Sequence, residues 1–114
     1  MAQFFSETIF NCLIYKGYGD RVSGKNHIPW KDAHFALHLG HKDINLVLET
    51  ANQTNVPMPV ANLLHDRFLS AMAQGWHDLD WSAIALNSLQ DVGEEKVVQE
   101  CIDKCRNAKE MKLQ

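Results

Sequence analysis

The sequence predicts an all-α fold of about five helices. Apolar residues recur at helical spacing in several segments, and no segment shows the period-two alternation of a half-buried strand. Between those segments, glycine, proline and capping aspartate or asparagine residues mark the ends of helices. With 114 residues, the chain can bury one hydrophobic core but not two.

The N-terminal part is predicted to be one helix followed by a loop. Apolar residues at helical spacing predict a helix from about Ala2 to Lys16, which Gly17 and Gly19 are expected to end. Residues 17–29 contain three glycines and a proline and few apolar residues, which is typical of a loop.

A short helical stretch and a longer helix are predicted next. Asp32 is a candidate cap for residues 33–38, and Gly40 is expected to weaken any continuation. Asp43 is then predicted to cap a helix that runs to Asn55, since a Val-Pro-Met-Pro segment follows and cannot continue it.

Three further boundaries organise the C-terminal half. Pro59 favours the start of a helix over Val60–Gln74, which Gly75 ends. Asp80 is a good N-cap for Trp81–Leu89. A break at residues 91–93 leads to a last helix with acidic residues at its positive end. We therefore expect a helical domain over residues 1–91 and an additional C-terminal helix over residues 92–114, packed on the domain or extending from it.

Composition excludes several classes of function. The net charge of −3 with interspersed signs gives no basic stripe, so no nucleic-acid partner is predicted. No apolar run approaches the ~20 residues of a membrane span, and the N-terminus lacks signal-peptide features. A cytoplasmic location is predicted. Cys12, Cys101 and Cys105 lack CxxC spacing and are expected to be buried reduced thiols, with a redox or metal pair as the alternative.

The histidines offer one candidate for metal binding. His34, His38 and His41 are spaced so that a continuous helix would present all three on one face, a geometry that suits zinc. Gly40 breaks that alignment if it interrupts the helix, so the prediction is no metal site. A small histidine-rich metal protein stays open as an alternative.

Lys42 is the sharper candidate for a functional residue. It is placed where an apolar helix pattern begins, and an ammonium there is unfavourable for the helix dipole. Contact with a carboxylate or phosphate would explain that position, with Asp43 capping the helix and orienting the lysine. The alternative is a solvated lysine beside a capping aspartate. The glycines at 17, 19 and 24 lack the G-x-G-x-x-G spacing of a dinucleotide cradle.

Several motifs in order resemble a known family. F-x-L-x-L-x-x-K-D-I-x-L at Phe35–Leu46 is followed by Asn-Val-Pro-Met-Pro, by a helix ending Ala-Gln-Gly-Trp, and by Asp-Leu-Asp-Trp-Ser-Ala-Ile. Together they resemble the C-terminal domain of the β-hydroxyacid dehydrogenases, the 3-hydroxyisobutyrate dehydrogenase and 6-phosphogluconate dehydrogenase-like family. That family includes tartronate semialdehyde and succinic semialdehyde reductases. The match covers Phe35 to Leu89.

The resemblance implies roles for three residues. Lys42 matches the lysine that contacts the nicotinamide end of NAD or NADP in the parent enzyme. Phe35 and the neighbouring Asp43 match residues of the substrate cleft. The family's glycine-rich cofactor motif and catalytic lysine have no counterpart here, and about 34 residues precede Phe35, too few for a Rossmann domain. No catalytic residue is therefore assigned, and no cofactor is expected to bind this chain alone.

Two main hypotheses follow. The first is the helical substrate and dimerisation domain of an NAD(P)-dependent enzyme acting on small 3-hydroxy acids or semialdehydes, present as a fragment or split subunit. Its partner would be a second copy or a separate Rossmann-domain chain, with apolar faces of the first and third helices driving association. The second is a non-catalytic interaction module whose contacts come from aromatic residues: Phe4, Phe5, Phe10, Trp30, Trp76 and Trp81.

Overall fold

A computed structural model describes residues 2–8, 11–23 and 34–111 of the chain. These residues form α1 (Ala2–Glu7), α2 (Leu13–Ser23), α3 (Leu37–Thr54), α4 (Pro59–Ala73), a 3-10 helix (Trp81–Ile84), α5 (Ala85–Asp91) and α6 (Glu95–Met111). The all-α prediction is confirmed. In the part of the chain described here, β-type pairing is limited to an isolated antiparallel bridge between Ala36 and Asp80. None of the described helices is long and apolar enough to cross a bilayer.

The N-terminal region differs from its prediction. Asn11 and Cys12 are not helical, and α2 then continues through Gly17 and Gly19 to Ser23. The prediction of a single helix over residues 2–16 that ends at these glycines is therefore wrong. Each glycine in a helix costs about 1 kcal/mol relative to alanine, and contacts of α2 with the 3-10 helix offset that cost. The rest of the predicted loop, residues 24–29, and the candidate cap Asp32 lie outside the described residues.

Helix α3 begins six residues earlier than predicted. Leu37 is its first residue, so Asp43 lies inside the helix and does not cap it. The backbone N–H of Leu37 donates to the Leu79 carbonyl over 2.8 Å, which fixes the start of the helix from another part of the chain. Gly40 does not interrupt α3. Because glycine has no side chain, Phe68 of α4 can pack closely against α3 at this position.

The other boundaries agree with the sequence prediction. Asn55 ends α3 in the left-handed conformation with φ 56°, Pro59 is the first residue of α4, and Gly75 follows α4 with φ +77°. The side chain of Asp80 accepts a hydrogen bond from the backbone N–H of Ser82 and so caps the 3-10 helix. These residues act through local backbone chemistry, which is why sequence alone identifies them.

One hydrophobic core joins the C-terminal elements. Phe68 of α4 and Trp76 lie at its centre, 4% and 3% exposed. Among the α6 side chains that the structure describes, those of Val98, Ile102 and Cys105 are buried in the same core, so α6 packs on the preceding helices. The buried cluster consists of Leu37, Phe68, Ala71, Trp76, Leu79, Ala83, Leu86, Val98, Ile102 and Cys105.

Cys105, on the buried face of α6, is predicted to be an unreactive thiol. Burial raises its pKa to about 11, and Cys101 and Asp78 add to the effect. Since the thiolate is the reactive form, we expect iodoacetamide to label Cys105 far more slowly than the exposed Cys12, as measured by mass spectrometry of the native chain. Stability should also fall as the pH rises from 9.0 toward about 11, because the folded chain holds this proton more tightly than the unfolded chain does.

The urea-unfolded chain is the control for this labelling, because all three cysteines should react alike there. Equal labelling of Cys12 and Cys105 in the folded chain would contradict the burial of the α6 face.

Candidate functional site

The main candidate site is an apolar cavity between α2, α3, α4 and the 3-10 helix. Its volume is about 420 Å³, within the range of small-ligand pockets. Asp43 and Tyr18 are residues with polar side-chain groups in a lining that is otherwise mostly aromatic and aliphatic. The lining residues are Tyr18, Phe35, Gly40, Asp43, Ile44, Val47, Leu64, Phe68 and Trp81.

Phe35 reaches this cavity because its backbone is tied to the segment before the 3-10 helix. Its carbonyl accepts a hydrogen bond from the Trp81 N–H over 2.8 Å. Its own N–H lies 3.4 Å from Oδ2 of Asp80. The residues just before α3 are therefore held by residues about 45 positions later in the chain.

Asp80 is the centre of this connection. It is fully buried, and its Oδ2 accepts from the His34 N–H over 3.0 Å. Its Oδ1 accepts from the Ser82 N–H over 3.1 Å and from the Ser82 hydroxyl. One carboxylate thus caps the 3-10 helix and also satisfies backbone donors beside Phe35.

Gly40 and Phe68 form the part of the lining where α3 and α4 approach most closely. A Cβ atom at position 40 would lie 2.7 Å from Cε1 and 2.9 Å from Cζ of Phe68. Only glycine leaves room for the ring in this position. The glycine that argued for a helix break in the sequence is thus a packing residue.

Tyr18 and Trp81 are site residues that the sequence analysis missed. The Trp81 indole N–H donates to the Tyr18 hydroxyl over 2.9 Å, and the rings pack edge to face with centroids 5.1 Å apart. The same two residues also line a second cavity of about 350 Å³, together with Arg67 and Ser82 among others. Trp81 could have been found from its position directly after the capping Asp80, whereas Tyr18 lay in the predicted loop.

Lys42 lies next to the cavity and is not among the described residues that line it. Its side chain is 65% exposed, and its Nζ lies 3.9 Å from Oδ1 of Asp43. The structure therefore brings Phe35 and Asp43 into one cavity, with the Lys42 ammonium beside the Asp43 carboxylate. An exposed ammonium with so long an ion pair can still contact an anionic group of a ligand.

The three histidines of the metal alternative have separate environments. His34 precedes α3, and Nδ1 of His38 lies 2.9 Å from the His77 carbonyl oxygen. The ring of His41 instead faces His65 of α4. Among residues 2–8, 11–23 and 34–111, no group of three or more histidine, cysteine, aspartate or glutamate side chains could hold a metal ion.

Residues 17–87 match the model of a family described as NAD-binding of NADP-dependent 3-hydroxyisobutyrate dehydrogenase. That match covers more than half of the chain, and the chain belongs to this family. Every residue that lines the main cavity lies within the matched segment.

Named relatives agree with this assignment. The chain is 33% identical over 79 residues to the uncharacterized oxidoreductase YfjR of Bacillus subtilis, covering 69% of this chain and 27% of the relative. It is 42% identical over 50 residues to the 3-sulfolactaldehyde reductase of Escherichia coli, covering 44% of this chain and 17% of the relative. The chain thus spans about a quarter or less of the length of these relatives.

Proposed function

We propose that this chain is the C-terminal helical domain of an NAD(P)-dependent β-hydroxyacid dehydrogenase. The parent reaction is the reversible oxidation of a small 3-hydroxy acid, or reduction of the matching semialdehyde, of the 3-hydroxyisobutyrate, tartronate or succinic semialdehyde type. The chain alone is catalytically incomplete, because the proposed reaction needs a Rossmann domain and a catalytic lysine that its motifs do not supply. Residues 1–91 form the substrate and dimerisation-type domain, and residues 92–114 add a helix to it.

One observation carries the proposal: Phe35 and Asp43 line the same cavity, and the Lys42 ammonium lies 3.9 Å from the Asp43 carboxylate. In this proposal Lys42 contacts the nicotinamide end of the cofactor, and Phe35 and Asp43 bind substrate. The cofactor, when bound, supplies the hydride chemistry. This chain's residues bind and orient the reactants, and the aromatic lining excludes water from them.

Cofactor binding can be tested by combining this chain with the complementary part of a related enzyme. The chain is mixed with the part of the Escherichia coli 3-sulfolactaldehyde reductase that lies outside the matched segment, and NADH or NADPH is added. Because Trp81 lines the cavity, a nearby nicotinamide should quench tryptophan emission and emit by energy transfer. Restored oxidation of NAD(P)H with 3-sulfolactaldehyde would support the proposal. A stable complex that neither binds nor oxidises either nucleotide would argue against it.

Lys42→Ala tests the proposed cofactor contact. We expect the melting temperature to stay nearly unchanged, because the side chain is exposed and its ion pair is long. Loss of one charge-assisted contact should weaken NAD(P)H binding in the reconstituted complex by about tenfold or more, measured by fluorescence titration. Lys96→Ala on α6 is the matched control and should leave both quantities unchanged. Unfolding of the Lys42 variant, or unaltered nucleotide affinity, would exclude this role.

The alternative is a non-catalytic module that associates with itself. Phe4 of α1 and several apolar residues of α2 and α4 are exposed, as expected for either a homodimer or a complex with a Rossmann-domain chain. Trp76 does not belong to such a surface, since it is buried in the core, and the side chains of Phe5, Phe10 and Trp30 lie outside the described part. The exposed residues are Phe4, Leu13, Ile14, Tyr15, Val22, Val60, Leu63 and Leu69.

Sedimentation analysis separates the two functions. A stable homodimer that binds neither NAD(P)H nor the relative's remaining part would favour the module.

A cytoplasmic location belongs to the main proposal, and the free thiols of Cys12, Cys101 and Cys105 are consistent with a reducing compartment.

A further inference from the structure

Two histidines from different helices face each other beside the candidate cavity. The ring centroids of His41 on α3 and His65 on α4 are 5.5 Å apart, with an interplanar angle of 32°. Both residues are partly buried, and the His65 side chain is 26% exposed. Neither side chain lines the candidate cavity.

The hydrogen bonds of this pair leave ring nitrogens available as ligands. Nδ1 of His65 lies 3.2 Å from Oδ1 of Asp66. When that nitrogen donates its proton to the carboxylate, Nε2 of His65 carries the lone pair. A carboxylate that orients a histidine in this way is the usual outer partner of a metal-binding imidazole.

The Asn45 side chain lies beside the His41 ring. The Asn45 side-chain nitrogen donates to the His41 carbonyl over 3.0 Å and lies 3.5 Å and 3.3 Å from the two ring nitrogens. In a neutral imidazole one ring nitrogen has an in-plane lone pair and the other an in-plane N–H bond, and each points away from the other nitrogen. An atom almost equally far from both nitrogens therefore lies along neither direction, so the Asn45 amide leaves the approach of a metal ion to the His41 lone pair open.

The separation of the rings fits one shared metal ion. A metal about 2.1 Å from a ring nitrogen lies about 3.2 Å from that ring's centroid, and a tetrahedral angle then places the two centroids about 5.2 Å apart. The observed 5.5 Å is close to that separation. Imidazole nitrogen is a preferred ligand of zinc, nickel and copper ions.

We propose that His41 and His65 bind one divalent transition-metal ion of the zinc, nickel or copper class, with one nitrogen from each ring. Asp66 orients the His65 ring, and water or an anionic ligand completes the coordination. The ion joins α3 to α4, so binding stabilises the helical domain. The proposal is independent of nucleotide binding. The proposed site differs from the zinc site that sequence spacing suggested for His34, His38 and His41. Its two histidines are far apart in the sequence, and the fold brings them together.

The test uses the full chain without a polyhistidine tag. Isothermal titration with Zn²⁺ or Ni²⁺ should show one saturable site, and the melting temperature should rise with metal concentration. His41→Ala and His65→Ala should each abolish this binding, whereas His77→Ala, which removes an exposed histidine, should not. Asp66→Asn should weaken binding by about tenfold. Copper bound to the chain should show hyperfine coupling to two imidazole nitrogens in its electron paramagnetic resonance spectrum.

Two results would overturn the site. One is saturable binding that persists when His41 and His65 are both replaced. The other is a folded chain that shows no saturable binding up to millimolar metal. Should an alanine variant unfold, His41→Gln and His65→Gln replace it, because glutamine is polar and similar in size. Loss of metal binding in these folded variants supports the site, and unchanged binding contradicts it.

Discussion

Phe68→Ala is expected to lower the free energy of unfolding by about 3–5 kcal/mol. The ring is 4% exposed, belongs to the central core cluster and packs against the backbone of Gly40. Truncation removes buried apolar surface and leaves a cavity that α3 cannot fill, because position 40 has no side chain. Urea denaturation followed by circular dichroism measures the loss. The variant should also enlarge the candidate site, since Phe68 lines it.

Neighbouring positions on α4 provide the controls. Leu69→Ala should cost well under 1 kcal/mol, because that side chain is 50% exposed. Leu64→Ala should cost less than Phe68→Ala, although both fit the apolar pattern of the helix, because Leu64 is only half-buried. Equal losses at positions 68 and 69 would contradict the packing of α4 against α3.

Gly40→Ala tests the same contact from the other side. Alanine favours a helix over glycine by about 1 kcal/mol, but its Cβ would lie 2.7 Å from a buried ring atom of Phe68. Overpacking of this kind costs about 1–3 kcal/mol. We therefore expect a net loss of stability that Phe68→Leu in the same chain partly relieves. A double-mutant cycle measures the coupling, and additive effects would exclude the close approach.

Asp80→Ala is expected to lower the free energy of unfolding by about 2–4 kcal/mol, because the 3-10 helix loses its cap and a buried backbone N–H loses its acceptor. The carboxylate accepts from His34, Phe35 and Ser82, so its removal also frees the segment that places Phe35 in the cavity. We expect a lower melting temperature and, in the reconstituted complex, weaker substrate binding. Asp80→Asn keeps the volume and should lose less stability.

Asp103→Ala is the matched control for Asp80. Asp103 is an exposed α6 carboxylate that accepts a hydrogen bond from Gln99, and its loss should leave stability and ligand affinity nearly unchanged. If Asp80→Ala were as stable as that control, the account of how Phe35 is positioned would be wrong.

Much of the fold follows from local chemistry. The left-handed Asn55 after α3, Pro59 at the start of α4 and the Asp80 cap are all boundaries that the sequence predicted, because each acts on backbone groups within a few residues. The same motifs, in the same order, identified the family that the match over residues 17–87 confirms.

The failures of prediction involve contacts between distant segments. The sequence predicts Gly40 to be a weak point of a helix, but the ring of Phe68 from α4 makes it a packing residue. The sequence predicts that Gly17 and Gly19 end a helix, but Tyr18 between them is held by Trp81, 63 residues away. The start of α3 was misplaced because the backbone groups that determine it belong to residues 77–81.

The sequence by itself determined that the chain is helical and where most helices of its C-terminal half begin and end, because caps, prolines and apolar periodicity act over one or two helical turns. The family was indicated separately, by the resemblance of several motifs in the same order. Only the tertiary structure decided that Tyr18 joins Phe35 and Asp43 in one cavity and that the His41 ring lies near His65. The cavity and the histidine pair arise from the close packing of α3 on α4 and from the hydrogen bonds of the buried Asp80 carboxylate. Helical spacing along a single segment contains no information about contacts between distant segments.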